Sequence, residues 1–190
     1  MSKGLTLVLG GARSGKSDFA LKLALRTGGA VLFVATAEPG DEEMRARIEA
    51  HRRQRPRSWR VLDAPRGVGR LLTAEYRGEA TVLVDCVTML VSNVLLASLP
   101  ASGVFGVAEA ETALSAVRRE IEELLDTAEG HPARYILVSN EVGLGVVPDN
   151  ALARLYRDAL GRANRLLAAR AHELYLLVAG IPLVIKGPGR

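Results

Sequence analysis

The sequence predicts an α/β fold in which a mostly parallel central sheet is flanked by helices, and three observations lead to this prediction. Short β-branched runs alternate with longer segments of helical periodicity, as expected when each parallel strand is followed by a helix. Two runs, Leu-Thr-Leu-Val-Leu and Val-Leu-Val, are apolar throughout, which is typical of strands buried on both faces. Internal repeats, low-complexity tracts and linkers are missing from the 190 residues, so we expect one domain over 1–190.

The predicted strands are short apolar runs bounded by polar residues or turn formers. In chain order they lie at residues 5–9, 30–35, 81–85, 135–139 and 174–185. Gly180 and Pro182 mark a bend in the last segment, which is therefore either one strand or a strand pair.

The predicted helices are longer segments with helical spacing of their apolar residues, or polar segments that follow a strand and a turn. In chain order they lie at residues 17–26, 42–53, 109–128 and 151–171. The second follows the turn formers Pro39 and Gly40, and the third follows a loop at 100–108 that contains a proline and two glycines.

The composition argues against several classes of protein. No apolar run reaches the roughly 18 residues of a membrane helix, and the first residues lack the pattern of a signal peptide, so we expect a cytoplasmic protein without a membrane partner. The net charge of +4 is modest and aromatic residues are not interleaved with basic ones, which disfavours nucleic acid as the main partner. The sole cysteine, Cys86, follows an apolar run and is expected to be a buried, unreactive thiol.

A glycine-rich motif between the first strand and the first helix gives the strongest functional signal. It matches G-x-x-x-x-G-K-[ST] in full, and we refer to it as the phosphate loop: Gly10, Gly11, Ala12, Arg13, Ser14, Gly15, Lys16 and Ser17. Glycines let the backbone curve around a phosphate with its N–H groups inward, and the following helix adds its positive end. Lys16 can reach the β- and γ-phosphates, and Ser17 can ligate Mg²⁺. The motif predicts a P-loop NTPase-like fold that binds a purine nucleoside triphosphate.

Two further residues are candidates for chemistry beside the phosphate loop. Asp85 ends an apolar strand, where P-loop enzymes place an acid near Mg²⁺, although a capping role in a turn or helix would also explain it. His51 would share a helix face with Met44 and Ile48, near the carboxyl edge of the sheet, where ligands of open α/β sheets bind. Taken alone, such a histidine is more often a residue at the boundary of the core.

Blocks of residues in the same order along nearly the whole chain carry a resemblance that is far more specific than the phosphate loop. Besides that loop, the blocks are Val34-Ala35-Thr36, Asp41-Glu42-Glu43-Met44, Arg47-Ile48, His51, Arg55-Pro56, Trp59-Arg60, Thr88-Met89-Leu90-Val91-Ser92-Asn93, Ser139-Asn140-Glu141-Val142-Gly143, Gly145, Val147-Pro148, Gly161-Arg162, Asn164, Val178 and Gly180-Ile181. They resemble the bifunctional adenosylcobinamide kinase / adenosylcobinamide-phosphate guanylyltransferase family of cobalamin biosynthesis.

The resemblance implies an enzyme that phosphorylates adenosylcobinamide with ATP or GTP and then transfers GMP from GTP, giving adenosylcobinamide-GDP. A family histidine in the helix after the second strand carries GMP covalently, which assigns that role to His51, beside Lys16 as the other catalytic residue. The nucleotide-binding positions carried over are the phosphate loop, Ala35, Thr36, Ala37, Arg52, Arg53, Gln54, Arg55, Asp63 and Asp85. The resemblance also implies GTP, ATP and Mg²⁺ as cofactors, with Ser17 and Asp85 as metal ligands, a corrinoid substrate, and assembly as a homo-oligomer, by analogy a trimer.

The chain departs from the family pattern in two respects. Ala50-His51 stands where members often have two adjacent histidines, and aspartate occupies positions 63 and 85, where relatives can have glutamate.

Two other functions stay open. One alternative is a P-loop small-molecule kinase without guanylyl transfer; the other is a RecA-like ATPase or switch that acts on a macromolecule. Asn140, Glu141 and Gly143 have no assigned role, and turn chemistry explains them equally well.

Overall fold

A single seven-stranded sheet organises the computed structural model, which describes residues 4–187 apart from the side chains of Met44, Arg47, His51 and Gln54. The elements in chain order are β1 (Gly4–Gly10), α1 (Lys16–Thr27), β2 (Val31–Ala35), α2 (Glu42–Gln54), β3 (Arg60–Asp63), α3 (Val68–Glu75), β4 (Thr81–Asp85), α4 (Val87–Ala97), α5 (Val107–Gly130), β5 (Arg134–Asn140), α6 (Ala151–Arg170), β6 (Glu173–Val178) and β7 (Ile181–Lys186). No helix within these described residues is long and apolar enough to cross a membrane.

The strands lie in the order β3-β2-β4-β5-β1-β6-β7. All neighbouring pairs are parallel except β6 and β7, which form an antiparallel hairpin. In the registers, Ala35 pairs with both Asp63 and Asp85, while Gly10 pairs with Asn140. The carboxyl ends of β1 to β5 therefore meet along one edge of the sheet, and the predicted α/β fold with a mostly parallel sheet flanked by helices is confirmed.

Alternating strand side chains fill two cores, one on each face of the sheet. On one face, residues such as Leu7 pack with buried side chains of α3 to α6, including Leu90 and Ile121. On the other face, Val8 packs with Ala20 of α1 and with Trp59. Because both faces are covered, the central strands are apolar along most of their length, as their sequences indicate.

The predicted elements are found within two residues of their observed ends, and the strand-pair alternative for residues 174–185 is the correct one. Three further elements, β3, α3 and α4, were not predicted. The helix α4 is apolar on most of its surface, with six of its eleven residues buried, so it lacks the periodic pattern of an amphipathic helix. The strand β3 has only four residues and lies at the edge of the sheet, where a short run gives little signal.

Candidate active site

A cavity of about 1090 Å³ opens at the carboxyl ends of the parallel strands. Twelve of the predicted binding residues line this large cavity: Ala12, Arg13, Ser14, Gly15, Lys16, Ser17, Ala35, Ala37, Arg52, Arg55, Asp63 and Asp85. Four others, Gly10, Gly11, Thr36 and Arg53, are absent from its lining. The side chains of His51 and Gln54 lie outside the described part of the structure. The fold thus gathers at one edge groups that are far apart in the sequence.

The phosphate loop has the backbone shape that its glycines predict. Gly15, which precedes α1, has a φ of 86°, a left-handed value that a residue with a β-carbon rarely adopts. A β-carbon on Gly10 would lie 2.5 Å from the Ser14 Oγ and 2.8 Å from the Leu177 carbonyl oxygen. Lys16 begins α1, and its Nζ donates a hydrogen bond to the Gly11 carbonyl oxygen at 2.8 Å. The lysine side chain is thus held across the loop.

Two segments outside the motif hold the phosphate loop from either side. The Glu141 amide, just after β5, donates to the Gly10 carbonyl oxygen at 3.0 Å. The Gly180 amide, in the turn between β6 and β7, donates to the Ser14 carbonyl oxygen at 3.0 Å. The Glu141 carboxylate accepts from the Gly143 amide at 2.6 Å, so the side chain of Glu141 serves the turn, as the structural alternative predicts.

Asp85 stands at the end of β4 beside a buried threonine that fixes the next residue. The Thr36 hydroxyl donates to the Cys86 carbonyl oxygen at 2.7 Å and accepts from the Cys86 amide at 2.9 Å. Thr36 is fully buried, and its own carbonyl oxygen accepts from the Asn93 Nδ2 at 2.8 Å. In this structure Thr36 positions the chain after Asp85, while Ala35 and Ala37 face the cavity.

Cys86 differs from the buried thiol that we expected, because it is only partly buried and contributes to the cavity lining. It precedes α4 as the N-cap residue, which brings it to the sheet edge. Burial of the thiol, followed by the nearby charge of Asp85, raises the pKa of Cys86 to about 11. A thiol that stays protonated is a poor nucleophile, so the expected lack of reactivity holds for an electrostatic reason.

Charged groups of α2 and the segment after it form the wall opposite the phosphate loop. Arg55 lies with its guanidinium carbon 3.9 Å from the centre of the Phe33 ring, a cation–π geometry. Burial and then Arg52 lower the pKa of Arg55, whereas Asp85 and Asp63 raise it. These four residues, two arginines and two aspartates, therefore share one electrostatic environment at the edge of the sheet.

One face of α2 turns towards the large cavity. Arg45, Ile48, Glu49 and Arg52 all line it, and their i, i+3, i+4, i+7 spacing defines a single helix face. His51 follows Ile48 by three positions in the same helix. Arg53 is absent from the cavity lining; its side chain is 78% exposed, and its Nε is 3.5 Å from the Glu49 carboxylate. The helix that carries His51 thus lies on the same side of the sheet as the phosphate loop.

The sequence assigned no role to several cavity residues, of which Asn140 and Thr88 are the most informative. The Asn140 amide donates to the Thr88 Oγ1 at 2.8 Å, and the Asn140 carbonyl oxygen accepts from the Asn164 Nδ2 at 2.9 Å. Asn164 in turn accepts from the buried Ser139 hydroxyl at 2.7 Å. All four lie in the blocks that carry the family resemblance, and a polar residue directly after a buried strand is the signal that could have found Asn140.

The comparisons with known proteins agree with this geometry. The family model described as "Cobinamide kinase / cobinamide phosphate guanyltransferase" matches residues 6–185. The "Bifunctional adenosylcobalamin biosynthesis protein CobP" of Pseudomonas aeruginosa is 41% identical over 181 residues, covering 95% of this chain and 96% of that protein. Two proteins named "Bifunctional adenosylcobalamin biosynthesis protein CobU", from Salmonella typhimurium and Escherichia coli, are 40% and 41% identical over 186 residues, covering 96% of this chain and 99% of each protein.

These matches cover nearly the whole chain, including the phosphate loop, α2 and the four strand ends that line the large cavity. The matched range therefore includes the complete site, and the predicted P-loop NTPase-like fold agrees with the match. The chain is an enzyme that belongs to the cobinamide kinase / cobinamide phosphate guanyltransferase family.

Proposed function

We propose that this chain phosphorylates adenosylcobinamide with ATP or GTP and then transfers GMP from GTP to the phosphorylated product through a covalent intermediate on His51. The observation that carries the proposal is the large cavity, into which both the phosphate loop and one face of α2 open. Both reactions need a binding site for the phosphates of the nucleotide. The transferase reaction also needs a nucleophile from another part of the cavity. The phosphate loop lines this cavity, and so does α2, the helix that carries His51.

The phosphate loop is the proposed binding site for the phosphates. Its inward amides and the N-terminus of α1 would hold the β- and γ-phosphates, and Lys16 would exchange its bond with the Gly11 carbonyl oxygen for phosphate oxygens. Ser17 and Asp85 both line the cavity and offer oxygen ligands, which Mg²⁺ prefers, and this small set leaves room for phosphate oxygens and water. When bound there, Mg²⁺ offsets charge on the phosphate oxygens.

In the kinase reaction, the substrate hydroxyl oxygen attacks the γ-phosphorus. A bond forms between these atoms, the bond to the β–γ bridging oxygen breaks, and the nucleoside diphosphate leaves while the hydroxyl proton passes to solvent. Lys16 balances the charge that develops on the transferred group, and the loop amides keep the reacting atoms in line. No histidine is required for this step.

In the transferase reaction, a neutral imidazole nitrogen of His51 attacks the α-phosphorus of GTP, and pyrophosphate leaves. The phosphate of the substrate then attacks the phosphoramidate, forms the new anhydride and releases the imidazole. With an ordinary pKa near 6.5, an imidazole is largely neutral at pH 7, which suits a nucleophile. Arg52 faces the cavity and Arg53 does not, so Arg52 is the better placed of the two to hold pyrophosphate. Because the reactions present different phosphorus atoms, we expect residues 38–60 to shift between steps.

The test is to incubate the protein with GTP labelled on its α-phosphate and then denature it. We expect a protein-bound label that is acid-labile and base-stable, and we expect His51→Ala to lose it while keeping phosphorylation of adenosylcobinamide by ATP. His131→Ala is the matched control, since His131 contacts Tyr135 through a 2.7 Å hydrogen bond and is absent from the cavity lining. A label that survives in His51→Ala would show that the nucleophile is another residue.

The same assay separates the two alternatives. Phosphorylation without any trapped GMP in the unaltered protein would favour a small-molecule kinase alone. Hydrolysis stimulated by nucleic acid, without corrinoid turnover, would favour the RecA-like reading. A cytoplasmic location and a homo-oligomeric state, by analogy a trimer, stay predictions.

A further inference from the structure

Asn140 occupies a position between the phosphate loop and the strand that ends at Asp85. It is the last residue of β5, a strand that lies between β1, which leads into the phosphate loop, and β4, which ends at Asp85. It pairs with Gly10, and it lies two positions beyond Val138, the partner of Asp85. Asn140 therefore extends past Asp85 into the mouth of the large cavity, whose lining it joins.

The backbone of Asn140 is fixed by hydrogen bonds that do not use its side chain. Its amide is held by Thr88, which is 6% exposed, and its carbonyl oxygen by Asn164, also 6% exposed. On the following residue, the Glu141 amide bonds to the phosphate loop at Gly10. Hydrogen bonds thus fix the backbone that carries the Asn140 side chain, and one of them joins the next residue to the phosphate loop.

The side-chain amide has no hydrogen-bond partner that the described structure records. Its Oδ1 is buried and makes no hydrogen bond within residues 4–187. Buried polar side chains are rarely left in this state, because each unmatched group carries a desolvation penalty. The three other amides of this region show the contrast, since those of Asn93, Asn150 and Asn164 all bond to protein atoms. The Nδ2 donor of the same amide has no recorded hydrogen bond either and, unlike Oδ1, is not buried, so it is the end of the amide that a ligand in the cavity can reach.

We infer that Asn140 binds the terminal phosphate of the nucleoside triphosphate, donating a hydrogen bond from its side-chain amide to a γ-phosphate oxygen. Phosphate oxygens accept hydrogen bonds, so the accessible NH₂ end of the amide is the end that can donate to them. The γ-phosphate is the group that lies between Lys16 and the acid of β4 in P-loop sites, and β5 ends between those two. The inference rests on the proposed function, since it names one more residue of the same site.

The contact has a specific consequence for binding. A residue that touches only the γ-phosphate favours the triphosphate over the diphosphate and leaves the diphosphate unaffected. The site would thus release the diphosphate after phosphoryl transfer more easily than it releases the triphosphate. Asn140 would also hold the γ-phosphorus in line for the attacking hydroxyl.

The test compares two ligands on two variants. We would measure dissociation constants for the β,γ-methylene analogue of GTP and for GDP, at one free Mg²⁺ concentration, in the unaltered protein, Asn140→Ala and Asn140→Asp. Asn140→Ala should weaken the triphosphate analogue about 10- to 100-fold, the range for a hydrogen bond to a charged group, and change GDP by less than about twofold. Asn140→Asp should weaken the analogue further, because it places a carboxylate against a phosphate.

Asn150→Ala is the matched control, because Asn150 caps α6 by accepting from the Ala153 amide and does not line the large cavity. It makes the same chemical change and should alter neither dissociation constant. Equal losses for the analogue and GDP in Asn140→Ala would overturn the inference, since they would indicate a distorted loop, and so would no loss at all. If the unaltered protein bound neither ligand, both the proposed function and this inference would be wrong.

Discussion

Replacing Thr36 with valine should destabilise the protein, because the change keeps the shape of a fully buried side chain and removes its hydroxyl. That hydroxyl makes two hydrogen bonds, at 2.7 and 2.9 Å, to the carbonyl oxygen and amide of Cys86. Leaving a buried partner unsatisfied costs about 1–3 kcal/mol. With two such partners, and some relief by local adjustment, we expect Thr36→Val to lower the free energy of unfolding by about 2–4 kcal/mol.

The assay is urea unfolding followed by tryptophan fluorescence, since Trp59 is the sole tryptophan and is 9% exposed. Thr36→Ser is the matched control: it keeps the hydroxyl, loses one methyl group and should lower the free energy by only about 1 kcal/mol. The slope of the transition should be unchanged in both variants, so that midpoints report stability. If serine proved more damaging than valine, methyl packing would outweigh the bonds to Cys86, and the assigned role of Thr36 would be wrong.

Two further predictions concern glycine packing and the thiol. Gly69→Ala should lower the free energy of unfolding by about 1–3 kcal/mol, because the new β-carbon would lie 2.7 Å from the Glu123 carbonyl oxygen of α5. Gly161→Ala is the control: its β-carbon would have no atom within 4 Å, so the change should be neutral or stabilising in the same urea assay. Because the folded-state pKa of Cys86 is raised from 9.0 to about 11, its alkylation rate should keep rising up to about pH 11, whereas that of the urea-unfolded chain should level off near pH 9. The same shift should make the folded state lose stability between these two pH values, and Cys86→Ala should remove this contribution, leaving the one from tyrosines whose pKa is also raised. Equal rate profiles in the two states would contradict the assigned environment.

Local patterns sufficed for much of the fold. The strand Thr81–Asp85 was predicted at its observed ends because a run of apolar residues terminates abruptly at a carboxylate. The unpredicted α4 is buried against β5, α5 and α6, so tertiary packing rather than amphipathic spacing makes it a helix. The Glu120 carboxylate caps α3 from another helix by accepting from the amides of Gly67 and Val68, a contact that no local pattern reveals.

The parts of the site that consist of contiguous residues could be predicted from the sequence. The phosphate loop is such a segment, and its shape follows from its glycines. The separation of Arg52 from Arg53 depends on which face of α2 meets the sheet, which sequence spacing alone leaves open. The position of Asn140 depends on strand order, because only the insertion of β5 between β1 and β4 brings it beside the phosphate loop.

The hydrogen bond from the Gly180 amide to Ser14 ties the phosphate loop to the last hairpin of the chain. The strand that leads into the loop is likewise secured late, because the Leu5 amide bonds to a histidine nitrogen 167 positions further on. During synthesis, the phosphate-binding motif is therefore translated first, and the segments that form hydrogen bonds with it are translated last. A ligand stabilises only a form that can bind it, so we expect GTP or ATP to stabilise this protein fully only once the last hairpin has joined the sheet.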